Sequence, residues 1–197
     1  MWNFWNIYTN IGGGTLQIIY MVVYAVFFSK ENDGVLLAVN MSIEMFLMTS
    51  LKIFHFQARP FWAFEDIIPG ACYSQFGNPS GHSITAIFFA MYLWQRWFIQ
   101  IKKEVMHNDA ESLVTKTGVE IKTMPIWIQI VSFVILTLGY LAIGYSRFVL
   151  GVHSANQILY GFLLGGWSIV MCACWLDPLV SDLIDQIRNK KLTKDQV

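Results

Sequence analysis

The sequence predicts an all-α integral membrane protein, about five transmembrane helices in a bundle, and three observations carry that prediction. Of 197 residues, 55% are hydrophobic and 13% charged, a balance foreign to soluble globular domains. Five stretches, at about 12–29, 35–54, 81–100, 125–145 and 155–176, approach the roughly 20 apolar residues that a helix needs to cross the hydrocarbon. Threading them alternately across a bilayer sorts the cationic residues into two unequal groups, as a membrane protein's topology requires.

The N-terminal segment, residues 1–11, has no basic region of a cleavable signal, and its mixture of aromatics and Asn in "MWNFWNIYTN" reads as an interfacial anchor. The first span would then serve for targeting. "SKENDG" (29–34) is a tight polar turn before the second span, and residues 55–80 form a long loop punctuated by Pro and Gly. Ser80 stands where it can cap the third span. Residues 101–124 form a charged loop, and a short connection around "SRFVLGVH" joins spans four and five. Gly161 and Gly165 in the last span have the spacing that lets helices pack closely. The predicted organisation is an interfacial segment over 1–11, a transmembrane domain over 12–176 and a cytoplasmic tail over 177–197.

Lys30, Lys102, Lys103, Lys116, Lys122, Arg188, Lys190, Lys191 and Lys194 fall on one side with Arg96 near it, while Lys52, Arg59 and Arg147 fall on the other. The positive-inside tendency makes the first side cytoplasmic and the second lumenal or extracellular. A formal net charge of zero gives no bulk attraction for nucleic acid. Cys72, Cys172 and Cys174 make no disulfide framework, and Asn40-Met41-Ser42 lies inside a span, so no glycosylation is expected.

The side poor in lysine carries its cations at helix ends. Lys52 closes span two, Arg59 follows it, and Arg147 and His153 bracket the short connection after span four. With His82 at the mouth of span three, they gather three cations and two histidines, while Glu65 and Asp66 are the nearest acids on that face. Singly, each has an ordinary reading as a snorkelling cation, a helix cap or a boundary histidine. Together they describe an anion site, because ionisable groups at the membrane boundary are costly and commonly face a cavity.

Lys52-x6-Arg59-Pro60, Pro79-Ser80-Gly81-His82 and Ser146-Arg147-x5-His153 resemble the three-part signature of the type-2 phosphatidic acid phosphatase superfamily, the membrane relatives of vanadium haloperoxidases. The resemblance covers about residues 35 to 176. It implies a helical acid phosphatase/vanadium haloperoxidase-like core and metal-independent hydrolysis of a lipid phosphate or polyprenyl diphosphate. By the same resemblance His153 attacks phosphorus to give a phosphohistidine, and His82 protonates the leaving oxygen. Arg147 completes the catalytic group, and Lys52, Arg59, Ser80 and Gly81 hold the phosphate oxygens. No metal and no cofactor are implied. The expected partners are a phosphorylated lipid or isoprenoid and the bilayer, with an oligomer or larger complex open and nucleic acid excluded.

Two departures bear on that implication. Family members often have Asp four residues after the nucleophilic histidine, where this chain has Gln157; the third motif is similar in this to dolichyl-diphosphate phosphatases and glucose-6-phosphatase. A glutamine carbonyl can accept the orienting hydrogen bond but lacks a carboxylate's charge. Many relatives also have six spans, and the N-terminal segment stands in for the missing one. A rival reading is a non-catalytic membrane protein that binds a lipid headgroup or serves in a larger complex. A transporter would need more spans, and the sequence around Ser80 is not the G-x-S-x-G of a serine hydrolase. Glu44, in mid-span two, reads as a structural partner within the bundle or as substrate-facing, and His55 as interfacial or at the site mouth.

Overall fold

A computed structural model describes residues 2–11, 19, 31–95 and 125–195. The expected first span apart from residue 19, the end of the third (96–100) and the charged loop (101–124) lie outside the described residues. The elements are α1 (Trp2–Ile11), α2 (Glu31–His55), the short α3 (Pro60–Ala63), α4 (Gly81–Trp94), α5 (Ile126–Val149), α6 (Ala155–Met171), a π-helical turn (Cys172–Leu176) and α7 (Asp177–Asp195). The protein is an all-α integral membrane protein. Among the described residues three helical stretches are long and apolar enough to cross a bilayer: Gly34–Ala63, Ile126–Val149 and Ala155–Ile187.

The centre of the bundle is α4, which packs on α6 and α5. Its sequence, "GHSITAIFFAMYLW", is apolar on more than one face, so half of its residues are buried and no polar stripe is left for water. Close approach to α6 depends on two glycines. A Cβ on Gly161 would stand 2.7 Å from the Ser80 carbonyl oxygen, and one on Gly165 2.6 Å from that of Ile84. Leu37 of α2 joins Phe88 and Tyr92 of α4 and Cys172 in the buried core.

The last span does not stop near 176; the helix runs on to Asp195. Pro178 would clash with the carbonyl four residues back, at Cys174, and the π-helical turn over Cys172–Leu176 loosens the backbone where that conflict falls. The N-terminal helix α1 lies against α5. Tyr8 donates from its hydroxyl to the Gly139 carbonyl at 3.2 Å, and Trp5 meets Tyr145 edge-on at 5.4 Å between centroids.

Candidate active site

Four stretches deliver side chains to one end of the bundle. Lys52 is in the last turn of α2, and Arg59 follows the turn that ends it. His82 opens α4, and Arg147 is in the last turn of α5. His153 stands just past Gly151, whose φ of +65° is the left-handed conformation glycine adopts freely. That residue ends α5 and returns the chain toward the bundle. Lys52, Arg59, Gly81, His82, Arg147 and His153 line one cavity of about 150 Å³. Residues separated by up to 101 positions in the sequence thus share a single small polar space.

Ser80 does not join them. It is fully buried, and its Oγ accepts a hydrogen bond from Ser83 Oγ at 2.9 Å instead of capping α4. Its amide donates to the Gln157 carbonyl at 3.0 Å, so Ser80 is bound into the α4–α6 contact beneath the cavity. The donors this turn offers are at the start of α4 itself, where first-turn N–H groups have no helical partner and the dipole is positive. His55 also stays outside: it is exposed and pairs with the Tyr160 hydroxyl at 3.2 Å.

The hydrogen bonds around His153 fix its tautomer. Gln157 Nε2 donates to the Ala58 carbonyl at 2.9 Å, which turns Oε1 toward His153 Nδ1 and the Ser154 amide, each at 3.2 Å. An amide oxygen only accepts, so Nδ1 carries the ring proton and Nε2 presents its lone pair. On that other face Arg59 Nη1 donates to Nε2 at 3.1 Å. Gly77 is packed over the Gln157 amide so closely that a Cβ there would come within 2.7 Å of Nε2 and Oε1. His153 is held well below the ordinary histidine value, first by burial and then by the charges of Arg59 and Arg147, with the Gln157 hydrogen bond opposing.

The cations are spaced by residues that the sequence did not single out. Gln75 accepts from Lys52 Nζ through its side chain at 2.9 Å and from Arg59 Nε through its carbonyl at 2.7 Å. The Tyr73 ring lies near both guanidinium groups, 4.7 Å from Arg59 and 5.0 Å from Arg147. Arg147 Nη1 donates to Thr9 Oγ1 of α1 at 3.0 Å. Arg147 is fully buried, yet its Nε and Nη2 have no hydrogen-bond partner among the described residues. Such donors are costly to leave unpaired, and a phosphate oxygen is the kind of acceptor a guanidinium fork matches. Tyr73, Gln75 and Thr9 sit in stretches without hydrophobic period or motif, so no sequence signal marked them.

Residues 33–180 match the PAP2 superfamily, and the chain belongs to that family. The fold is similar to that of a transmembrane PAP2-type phosphatidylglycerolphosphate phosphatase from Bacillus subtilis, with a TM-score of 0.65 and 21% identity over 90% of this chain and 77% of that one. It is also similar to LpxE of Aquifex aeolicus, with a TM-score of 0.61 and 21% identity over 88% of this chain and 86% of that one. No curated protein matches the sequence closely. The chain therefore has the fold of the membrane PAP2 phosphatases.

Proposed function

We propose that the protein is a metal-independent membrane phosphatase that hydrolyses a lipid phosphate or polyprenyl diphosphate at the extracytoplasmic face through a phosphohistidine. The observation that carries this reading is the unprotonated Nε2 of His153, held by Arg59 Nη1 in a cavity lined by Lys52, Arg59 and Arg147. His153 Nε2 attacks phosphorus as the bond to the leaving oxygen breaks, and His82 delivers a proton to that oxygen. Water then attacks the phosphohistidine, His82 takes its proton, and the N–P bond breaks to release phosphate and return neutral His153. Lys52, Arg59, Arg147 and the first amides of α4 hold the equatorial oxygens as charge develops. Arg59 leaves Nε2 for a phosphate oxygen when substrate enters. The cationic lining supplies the positive charge this chemistry needs, and the reading calls on no metal. That similar folds belong to a phosphatidylglycerolphosphate phosphatase and to LpxE supports the class of reaction.

The lysine asymmetry of the sequence supports the sidedness, with the C-terminus and the 177–197 tail cytoplasmic and the 12–176 domain in the membrane. Purified protein is expected to release phosphate from a lipid phosphate or polyprenyl diphosphate in EDTA and to be inhibited by vanadate. A strict requirement for added divalent metal would overturn the mechanism. Failure on lipid phosphates, polyprenyl diphosphates and soluble esters alike would favour a non-catalytic role.

A further inference from the structure

On α2, Asn40, Glu44, Met48 and Lys52 recur every fourth residue and are all buried, forming one stripe on the inner face of the helix. Lys52 lines the phosphate cavity, and Met48 lines both that cavity and an apolar groove of about 430 Å³ between α2 and α6. Glu44 lines this groove and its continuation of about 290 Å³, which reaches Asn40. Four-residue steps at 1.5 Å per residue set Asn40 about 18 Å from Lys52 along the helix, over half of the ~30 Å hydrocarbon thickness. Leu47 and Trp167 on the groove wall are 37% and 52% exposed, so the groove opens toward lipid.

Within these apolar walls the Glu44 carboxyl has no hydrogen-bond partner among the described residues. Glu44 is 2% exposed, and both of its carboxyl oxygens are buried without a hydrogen bond. The Asn40 Oδ1 is buried and unpaired as well, and the Ser168 hydroxyl of α6 lines the same space. A groove built for plain hydrocarbon would have no use for a carboxyl here, since an isolated buried polar group costs free energy that leucine would spare. As an acid, a carboxyl offers one O–H donor and one carbonyl acceptor to whatever lies in the groove.

We infer that the α2–α6 groove receives the chain of the phosphorylated lipid, and that Glu44 selects a lipid carrying an ester or amide carbonyl below its phosphate over an all-hydrocarbon isoprenoid. This rests on the phosphatase reading for the seat of the phosphate and narrows its substrate to acyl lipids. The continuity through Met48 argues for that occupant, because a lipid whose phosphate sits at Lys52 directs its chain down the stripe toward Glu44.

The test is a binding measurement on the full chain in detergent, made in a His153→Ala background so that neither lipid is turned over. Affinity for phosphatidate is compared with that for a polyprenyl monophosphate of similar length. With Glu44 present, phosphatidate is expected to bind about tenfold tighter, the size of one buried hydrogen bond. Glu44→Leu should abolish the preference by weakening phosphatidate binding alone, and Glu44→Gln, which keeps a donor and an acceptor, should retain most of it. Equal affinities with Glu44 present, or equal loss for both lipids in Glu44→Leu, would overturn the inference. Phosphate release from p-nitrophenyl phosphate, which has no chain, separates the two ideas: its absence counts against the phosphatase reading and leaves the binding preference to stand or fall by itself.

Discussion

Replacing Gln157 by leucine should separate the orientation of His153 from the packing around it. The parent side chain is 1% exposed and makes three hydrogen bonds: one donated to Ala58 and two accepted, from His153 Nδ1 and the Ser154 amide. Leucine fills a similar volume and leaves all three partners unpaired. At about 1 kcal/mol for each abandoned partner, the low end of the usual cost, stability should fall by roughly 3 kcal/mol. Catalysis loses the group that keeps the proton on Nδ1 and supports the imidazole as it gains charge. One hydrogen bond to a charged group is worth about 1.5–3 kcal/mol, so kcat should fall about tenfold to a hundredfold. Gln157→Glu keeps an acceptor facing His153 but sets its second oxygen against the Ala58 carbonyl. It should therefore lose stability while keeping kcat within a few-fold. The assay is phosphate release from detergent-solubilised protein, with the folded fraction checked by thermal melting. A folded Gln157→Leu protein with kcat within twofold of the parent would refute the reasoning.

Thr9→Val, isosteric but unable to accept from Arg147, should raise KM and lower kcat about tenfold in total, with Thr9→Ser restoring most of it; unchanged kinetics in Thr9→Val would remove α1 from the site. Gly161→Ala forces its Cβ against the Ser80 carbonyl, a backbone atom that cannot yield, and should cost about 1–3 kcal/mol in thermal or denaturant unfolding; a neutral effect would contradict the close α4–α6 contact. Because His153 is held below the ordinary histidine value of about 6.5 and attacks as the neutral base, the acid limb of kcat/KM attributable to it should lie below pH 6.5. The same group sets a stability trend: above about pH 6.5 it is neutral folded and unfolded and contributes nothing. Below that, the unfolded chain binds the extra proton, so stability should fall as pH falls toward the folded value. Urea unfolding at pH 7.5 and 5.5, compared between parent and His153→Ala, would show the variant less sensitive to acid if this is right.

The motif residues were legible because each lies at a helix end that hydropathy locates, and helix ends on one side of a membrane must lie near one another. Their supports were not. Gln75 and Tyr73 sit in a loop whose path is set by tertiary contacts, and no period or spacing announces that a loop glutamine will hold both Lys52 and Arg59. Thr9 reads as part of an aromatic interfacial segment, and its role emerges from the packing of α1 on α5. Ser80 shows the opposite failure: the motif position is right, but the glycines of α6 draw that helix so close that the serine is buried. The family resemblance points to Gln157 as the partner of His153, and the geometry adds that its other end is tied to Ala58.

The covalent step on His153 is the centre of the account, and trapping it is the most direct test. Protein quenched with denaturant and alkali during turnover of a phosphorus-labelled substrate should carry label that acid removes, located on the peptide containing His153 and missing from His153→Ala. Label on another residue, or steady phosphate release by His153→Ala, would contradict it.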